Sequence, residues 1–372
     1  MNLEDLCMGC MSVKGSADIC PTCHWQDGDE EESVLFLPPG TILNHKYLLG
    51  KVLGSGGFGV TYLALDLDLK IKLAIKEYLP NGFVTRNGTN QHVSVYSGNQ
   101  ESAYRDGLKK FLEEAMVLAK FSTMPGIVTV RDYFAENNTA YLVMYYLDGI
   151  TFKEFLERNN EVIPYETGLT ILLPALSALS EVHKHNILHR DISPDNIYIT
   201  KDRQIKLLDF GAARQVLGEQ SKSLDVILKR GYAPEEQYRT RGKQGPWTDV
   251  YAAGATFYRA IVGVTPPDSL ERLAEDSLIA PSKLGITIPF SIERALLKAL
   301  AVRSSDRYQT MQEFYEALIT SSPGNEKSNP QSLPNEKTST PPTPPASAGC
   351  LTLAMGLVGI TFCATLIISV FF

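Results

Sequence analysis

The chain has 372 residues, of which 21% are charged, and its formal net charge is −7. This length is enough for one large or two medium domains with a substantial core. The acidic balance gives no basic footprint, so we expect no nucleic acid among its partners.

Two Cys-x2-Cys pairs open the sequence, Cys7 with Cys10 and Cys20 with Cys23. No secretory signal precedes them, so we expect a reducing compartment, where paired cysteines bind metal more often than they form disulfides. Four thiolates at this spacing predict a structural Zn²⁺ in a zinc-ribbon-like module at residues 1–25. A rubredoxin-like iron and a redox dithiol pair are the alternatives. The neighbouring His24 is interpreted as a bystander.

The remaining chain divides by composition. An acidic linker at 26–40 precedes alternating strand-like and helix-like patterns over 41–320, which predict the globular body. Residues 321–348 are rich in Pro, Ser, Asn and Thr and predict a disordered linker. The uncharged segment at 349–372 predicts a transmembrane helix, because its last 23 residues would span about 34 Å. A buried core helix is the alternative, and Cys350 is a candidate for acylation.

The body begins with a glycine-rich segment between strand-like runs at 47–53 and 60–65. Its residues are Gly54, Ser55, Gly56, Gly57, Phe58, Gly59 and Val60. A glycine-rich turn between two strands lets the backbone approach phosphates closely, whereas a Rossmann loop leads into a helix. The segment therefore predicts a phosphate lid, with a plain glycine hairpin as the alternative.

Lys76 ends an apolar strand-like run 17 residues after Gly59, where a lysine that pairs the α- and β-phosphates is expected. Its carboxylate partner should lie on the helical segment 109–120, which has one apolar face. Glu114 falls beside that face and Glu113 on the opposite side. We therefore predict Glu114 as the partner of Lys76.

The strongest local signal is the octet His-Arg-Asp-Ile-Ser-Pro-Asp-Asn at 189–196. Asp191 suits a general base that accepts or orients the proton of a substrate hydroxyl, and Asn196 can reach a magnesium ion. The strand-like run 205–208 then leads to Asp209-Phe-Gly. Asp209 is predicted to bridge Mg²⁺ (or Mn²⁺) to phosphates.

With these residues the chain resembles the Hanks-type (eukaryotic-like) bacterial protein serine/threonine kinase family over about residues 47–320. The resemblance implies an α+β bilobal fold with ATP in the cleft. The small lobe would cover about 41–147 and the large lobe about 148–320. It also implies that ATP meets the glycine-rich segment and four further residues: Ala74, the gatekeeper Met144, and Tyr145 and Leu147 of the hinge.

The same resemblance assigns roles in the large lobe. Ala-Pro-Glu at 233–235 looks like the motif that closes the activation segment. Asp249 is similar to the aspartate that orients the catalytic loop, and Arg307 to the buried arginine that pairs with Glu235. Arg190 implies an activation segment that responds to an anion.

Two departures from the family pattern concern the phosphoryl group. Ser193 stands where serine/threonine kinases carry a lysine, and the lysine's usual threonine partner is also missing. We hypothesise a charge swap in which Lys229 or Arg230 replaces the missing cation. Residues 212–232 contain no Thr, which leaves Ser221 and Ser223 as candidate phosphosites and Asp225 as a candidate permanent substitute.

The predicted transmembrane helix would anchor the chain to the cell membrane with its catalytic domain in the cytoplasm, and the resemblance implies an autophosphorylating kinase. It would act on protein substrates in signal transduction, and a homodimer is a candidate assembly. The alternative is a pseudokinase that acts through protein contacts; it is disfavoured because Lys76, Asp191 and Asp209 are all present. The segment at 233–235 disfavours a small-molecule kinase. Residues 81–107 are interpreted as an insertion above the small lobe.

Overall fold

The computed structural model describes residues 3–26, 28, 33–86, 91–210, 228–239 and 242–320. All of them belong to one structural unit, Met1–Glu326. The predicted linker 321–348 and transmembrane helix 349–372 lie outside the described residues. Among the helices that are described, none is long and apolar enough to cross a membrane.

Eleven strands and seven helices are used below. The strands are β1 Ile42–Leu43, β2 Tyr47–Gly56, β3 Gly59–Asp66, β4 Lys72–Tyr78, β5 Val84–Arg86, β6 Val93–Val95, β7 Val130–Glu136, β8 Thr139–Tyr145, β9 Gly149–Thr151, β10 Ile197–Thr200 and β11 Ile205–Leu207. The helices are α1 Asn99–Lys120, α2 Phe152–Arg158, α3 Tyr165–His183, α4 Pro246–Val262, α5 Ser269–Ala274, α6 Phe290–Ala299 and α7 Met311–Thr320.

The small lobe is built on an antiparallel sheet in the order β1-β2-β3-β4-β8-β7. Helix α1 packs on β7 and β8. Its predicted apolar face is confirmed, since Phe111, Ala115 and Leu118 are all buried. The helix begins at Asn99, so the end of the predicted insertion at 81–107 is helix.

Ahead of this helix, β5 and β6 of the insertion pair as antiparallel strands, and an ion pair joins β5 to the main sheet. Arg86 of β5 donates from both terminal nitrogens to the carboxylate of Glu77, and both side chains are almost fully buried. The hydroxyls of Tyr62 and Tyr141 donate to the same carboxylate at 2.8 and 2.9 Å. Glu77 follows Lys76 directly, so this network fixes the strand that carries the predicted phosphate-binding lysine.

The large lobe is mainly helical, and its long apolar helix α3 packs against α4 and α7. A small antiparallel sheet in the order β11-β10-β9 lies at the base of the cleft. The octet at 189–196 connects α3 to β10, and β11 leads directly to Asp209. The predicted α+β bilobal architecture is therefore confirmed.

The cysteine-rich module packs on the outer face of the small-lobe sheet. Leu6 and Met11 form an apolar cluster with Leu48, Leu63 and Leu65 of β2 and β3. The backbone carbonyl of Met8 accepts a hydrogen bond from the Lys51 amide at 2.9 Å. A side chain at Gly50 would clash with that carbonyl, because its Cβ would lie 2.2 Å from the oxygen.

The segment after the module is only partly a linker. Leu37 lies inside the predicted acidic linker at 26–40, yet it is buried in the main core. Its amide donates to the Tyr62 hydroxyl at 3.0 Å, and Leu35 accepts from Arg86 through its carbonyl. The boundary predicted at residue 40 is therefore too late, because apolar burial begins several residues earlier.

Candidate active site

The catalytic loop is held from below by one buried carboxylate. Asp249, near the start of α4, accepts hydrogen bonds from the backbone amides of His189 at 2.8 Å and Arg190 at 2.7 Å. The ring of His183, which sequence reasoning missed, lies 2.7 Å from the same carboxylate. Although burial raises the pKa of Asp249, the hydrogen bond and charge of His183 and the His189 contacts lower it overall. Asp249 is therefore a fixed anion that shapes the loop.

His189 is completely buried beneath the loop. Its Nε2 lies 2.8 Å from the Leu208 carbonyl, and its ring lies 4.5 Å from that of Phe210. Burial lowers the pKa of His189, although Asp249 and Asp191 favour the charged ring. In its neutral form, His189 therefore connects the catalytic loop to the segment that carries Asp209.

This burial predicts a pH-dependent stability. The unfolded chain protonates His189 below about pH 6.5 while the folded chain does not, so folding weakens as the pH falls below that value. The expected contribution is up to about 1.4 kcal/mol per pH unit, until the lowered folded pKa is reached. Urea unfolding at pH 7.5 and 5.5 should show a shallower pH dependence for His189→Gln than for wild type. Identical pH dependences would contradict the neutral buried ring.

Asp191 and Asn196 are brought together at the end of the loop. The Asn196 amide nitrogen donates to both the carboxylate and the carbonyl oxygen of Asp191, each at 2.7 Å. Both side chains are buried, with exposed fractions of 8% for Asp191 and 7% for Asn196. An amide oriented through its nitrogen presents its oxygen as a metal ligand, which fits the predicted contact with Mg²⁺.

Lys76 reaches across from the small lobe to the large lobe. Its Nζ lies 2.8 Å from Oδ1 of Asp209, which has a positive φ of 45°. Glu114 is half-buried on α1, and its pairing with Lys76 stays a prediction. Glu113 faces solvent and pairs with Lys110 at 2.7 Å, as expected for a surface acid. The lysine and aspartate predicted to handle phosphate and metal therefore meet in the cleft.

The glycine-rich segment forms a hairpin turn between β2 and β3, as predicted. Gly56 pairs with Gly59 across the turn, and Cβ atoms added at Gly54, Gly56 or Gly57 would meet open space. Gly59 is different, because its added Cβ would lie 2.2 Å from the Glu77 carbonyl of β4. The turn therefore packs closely against β4 at Gly59, whereas Gly54, Gly56 and Gly57 leave its outer backbone open to a ligand.

The predicted adenine contacts lie along β4 and β8. Met144 is buried and pairs with Ala74 across the two strands, and Val60 is buried on β3. The Tyr145 amide donates to the Thr129 carbonyl at 3.1 Å. The Leu147 carbonyl accepts from the Tyr198 hydroxyl at 3.2 Å, so the backbone group that Leu147 can offer to a base is its N–H.

The family model described as a protein kinase domain matches residues 47–325. The chain belongs to the protein kinase family. It is 31% identical over 330 residues to the serine/threonine-protein kinase PknB of Mycolicibacterium smegmatis, a match that covers 84% of this chain and 49% of that protein. It is 28% identical to PrkC of Bacillus subtilis, which covers 76% of this chain and 41% of that protein. The chain therefore spans about half the length of these curated relatives.

Solved kinase structures agree with this assignment. The apo form of PpkA-294 is 36% identical and aligns with a TM-score of 0.68, covering 76% of this chain and 99% of that one. The kinase domain of PknI from Mycobacterium tuberculosis aligns with a TM-score of 0.56 at 23% identity, over 77% of this chain and all of that one, and supports the fold alone. The Hanks-type bacterial resemblance is confirmed at the level of the family.

The activation segment of this kinase domain is described only at its end. Ser221, Ser223 and Asp225 lie outside the described residues. At the described end, the Nζ of Lys229 donates to Ser193 Oγ at 2.7 Å and to Asp195 Oδ2 at 3.0 Å. Although burial raises the pKa of Asp195, the charge and hydrogen bond of Lys229, together with Lys153, lower it overall. Arg230 is exposed, so the structure favours Lys229 over Arg230 as the replacement cation.

The predicted pairing of Arg307 with Glu235 is wrong by one residue. Arg307 donates to the two carboxylate oxygens of Glu236 at 2.7 and 3.1 Å, and both side chains are buried. Glu235 instead pairs with the exposed Arg239, at 2.6 Å. The 3-10 turn at 235–237 directs the second glutamate inward. The sequence offers two consecutive glutamates, Glu235 and Glu236, and the conformation of the turn decides which of them pairs with Arg307.

The four cysteines of the N-terminal module converge on one point. Cys7 Sγ lies 3.5 Å from Cys23 Sγ, Cys10 Sγ lies 3.7 Å from Cys20 Sγ, and all four atoms lie within 4.8 Å of one another. Tetrahedral Zn–S bonds of about 2.3 Å would separate the sulfurs by about 3.8 Å, so the thiol set fits zinc. His24 is not part of this group.

Two similar turns position the thiols. The Cys7 carbonyl accepts from the Met11 amide at 2.7 Å, and the Cys20 carbonyl accepts from the His24 amide at 2.9 Å. Met11 and His24 both have left-handed backbone conformations, with φ values of 56° and 59°. Although burial raises the pKa of Cys20, the backbone amides of Cys23 and Thr22 lower it to about 6. The same turn therefore positions the thiols of both Cys-x2-Cys pairs.

Proposed function

We propose that the chain is an ATP-dependent protein serine/threonine kinase that transfers the γ-phosphoryl group of ATP to serine or threonine hydroxyls of proteins. The observation that carries this proposal is the ion pair between Lys76 and Asp209. Asp209 follows the hydrogen-bonded pair of Asp191 and Asn196 in the chain. Phosphoryl transfer needs a positioned base, cations on the phosphates and a water-excluding cleft, and little covalent chemistry from the protein.

Each residue has a distinct task in this reaction. Asp191 accepts the proton of the attacking hydroxyl, and its hydrogen bond to Asn196 fixes the orientation of its carboxylate. Lys76 binds the α- and β-phosphates, and Glu114 is proposed to orient it. Asp209 and Asn196 would hold Mg²⁺ (or Mn²⁺), which neutralises charge on the phosphates when it is bound.

The nucleotide is proposed to lie between the glycine-rich turn and the hinge. The turn supplies backbone amides from 54–60 for the phosphates. Ala74 and Met144 lie on adjacent strands, and Tyr145 and Leu147 offer backbone groups to the adenine. The large open backbone of the turn, pinned at Gly59, is the geometric support for this placement.

The pseudokinase alternative is distinguished by activity rather than by binding. A pseudokinase would bind nucleotide or a protein without phosphoryl transfer. The chain retains the lysine, the catalytic aspartate and the Asp209 carboxylate; Lys76 meets Asp209 at 2.8 Å, and Lys229 lies 3.8 Å from Asp191. These observations support the enzyme.

Asp191→Asn is the direct test of the proposed activity. Loss of the base is expected to lower incorporation of γ-labelled phosphate from Mg-ATP into a general protein substrate by about 10²- to 10⁴-fold. Thermal unfolding should change little, because asparagine fits the same space. Equal labelling by wild type and Asp191→Asn would contradict a catalytic role, and absence of labelling by wild type would favour the pseudokinase.

The proposed setting is a cell membrane, with the kinase domain on the cytoplasmic side. It is supported by the uncharged segment at 349–372 and by the linker before it. Autophosphorylation of the activation segment and formation of a homodimer belong to the same proposal. Carbonate extraction of membranes that contain the full chain tests the anchor, since a spanning helix stays with the lipid.

The N-terminal module is proposed to hold one structural Zn²⁺ through Cys7, Cys10, Cys20 and Cys23. Four thiolates fill a tetrahedral site and leave no open position, so the ion would stabilise the module rather than perform chemistry. The contacts of Leu6 and Met11 with the small-lobe sheet further support a role in supporting the kinase domain.

A further inference from the structure

The catalytic loop of this kinase carries no lysine near the proposed catalytic base, Asp191. Ser193 occupies the relevant position two residues after Asp191 and is completely buried. The neighbouring Arg190 has a positive φ of 65°, and its Nε donates to Gln244 at 2.9 Å. A cation for the transferring phosphoryl group must therefore come from another element.

Lys229 lies in the right place to supply that cation. Its ammonium lies 3.8 Å from Oδ1 of Asp191, while it donates to Ser193 and Asp195 at shorter distances. An ammonium has three N–H groups, and two of them are used at Ser193 and Asp195. The third can therefore serve the site beside Asp191, where hydroxyl and γ-phosphate have to meet.

The backbone around Lys229 is fixed to the large lobe. The Lys229 carbonyl accepts from the amides of Tyr232 and Ala233, each at 3.1 Å. Gly231 has a positive φ of 82°, and its added Cβ would lie 2.7 Å from the Pro266 carbonyl. The Ser269 hydroxyl donates to the Ala233 carbonyl at 2.9 Å. We call residues 228–234 the docking segment.

We propose that Lys229 is the catalytic residue that neutralises the transferring γ-phosphoryl group, and that it is delivered by the docking segment instead of the catalytic loop. This inference rests on the proposed kinase function. A lysine in the catalytic loop would lie beside the phosphoryl group whether or not the docking segment is docked. A lysine on the segment reaches the phosphoryl group only when the segment is docked, so docking and catalysis become one event.

The transfer step balances without any further reactant. The substrate hydroxyl oxygen forms a bond to the γ-phosphorus, and the bond from that phosphorus to the β,γ-bridging oxygen breaks. The hydroxyl proton passes to the Asp191 carboxylate, and the electron pair of the broken bond stays with ADP. Lys229 stabilises the charge on the γ-phosphoryl oxygens during the transfer and exchanges no proton.

Three variants test this role by steady-state kinetics with Mg-ATP and a protein substrate. Lys229→Gln keeps a hydrogen-bonding group beside Ser193 but removes the charge, and kcat should fall by about 10²- to 10³-fold with a smaller change in KM for ATP. Arg230→Gln is the matched control and should be unchanged. The reciprocal double variant Ser193→Lys/Lys229→Thr returns the cation to the catalytic loop and should recover at least about tenfold of the lost kcat.

The outcomes separate this inference from the proposed function. An active wild type whose Lys229→Gln variant retains kcat within about threefold would overturn the role of Lys229 alone. A loss in Lys229→Gln that the double variant does not recover would also overturn it, since a misplaced segment rather than a missing charge would explain the loss. A wild type without phosphoryl transfer would instead contradict the kinase function. Thermal unfolding of each variant verifies that it is folded.

Discussion

Glu236→Gln is expected to lower the free energy of unfolding by about 3–5 kcal/mol, because it leaves the Arg307 guanidinium buried without a counter-charge. The exposed fractions of the two side chains are 0% for Arg307 and 4% for Glu236. Water therefore cannot replace the lost charge. The glutamine amide also keeps only one acceptor oxygen, whereas the two oxygens of Glu236 accept from Thr248 at 3.0 Å and from both terminal nitrogens of Arg307. Urea unfolding followed by far-UV circular dichroism measures the loss.

The adjacent residue provides the matched control. Glu235→Gln removes the same charge from the same turn, but its partner Arg239 has a side chain that is 59% exposed. The Glu235 side chain is itself only 14% exposed, but Arg239 stays solvated without its partner, so this variant should lose much less stability than Glu236→Gln. Similar losses for the two variants would contradict the pairing of Arg307 with Glu236. A larger loss for Glu235→Gln would restore the pairing that the sequence predicted.

This pair of glutamates shows where sequence reasoning reached its limit in the large lobe. The motif at 233–235 located the turn correctly, and Arg307 was correctly predicted to be buried. The choice between Glu235 and Glu236 depends on how the 3-10 turn meets α4, which is a tertiary contact that no local pattern encodes. The partner His183 was missed for the same reason, because it reaches Asp249 across 66 positions in the chain.

Predictions that rest on short-range pattern were more successful. The glycine hairpin follows from the residue types between two strands, and the buried face of α1 follows from helical periodicity. The four cysteines were predicted from spacing alone, and the structure brings their sulfurs together. The insertion at 81–107 carried no such signal. Its buried ion pair with the small lobe is made by Arg86, and nothing in the local sequence indicates the burial of Glu77.

The charge swap was only partly predictable from the sequence. The missing catalytic-loop lysine at Ser193 and two basic residues ahead of the 233–235 motif were visible in the sequence. Only the structure separates Lys229, which touches Ser193, from the exposed Arg230. A local departure from a family pattern therefore identified the question, and the packing of two distant segments answered it.

Removal of metal from the N-terminal module is expected to have the largest effect on stability. Structural zinc sites contribute on the order of 10 kcal/mol to the folding of such modules, so Cys20→Ser should unfold it. Leu6 and Met11 would then leave their contacts with Leu48, Leu63 and Leu65. Each buried side chain of this size contributes about 1.5–3 kcal/mol, so the loss of these two contacts should cost the kinase domain about 3–6 kcal/mol.

The experiment combines two measurements on the full chain. Atomic absorption should find about one zinc per wild-type molecule and much less in Cys20→Ser. Differential scanning calorimetry should show a lower unfolding temperature for the kinase domain in the same variant. His24→Asn is the matched control, because asparagine tolerates the left-handed conformation at this position and the imidazole is not among the proposed ligands.

These measurements distinguish a metal site from a supporting module. Wild type that contains no zinc after purification and is not stabilised by added zinc would contradict the metal site. Zinc that is lost in Cys20→Ser without any change in kinase-domain unfolding would leave the metal site but contradict its coupling to the sheet. The close approach of Met8 to Gly50 argues for coupling, because the module and β2 share a hydrogen bond as well as apolar contacts, and the two should therefore unfold together.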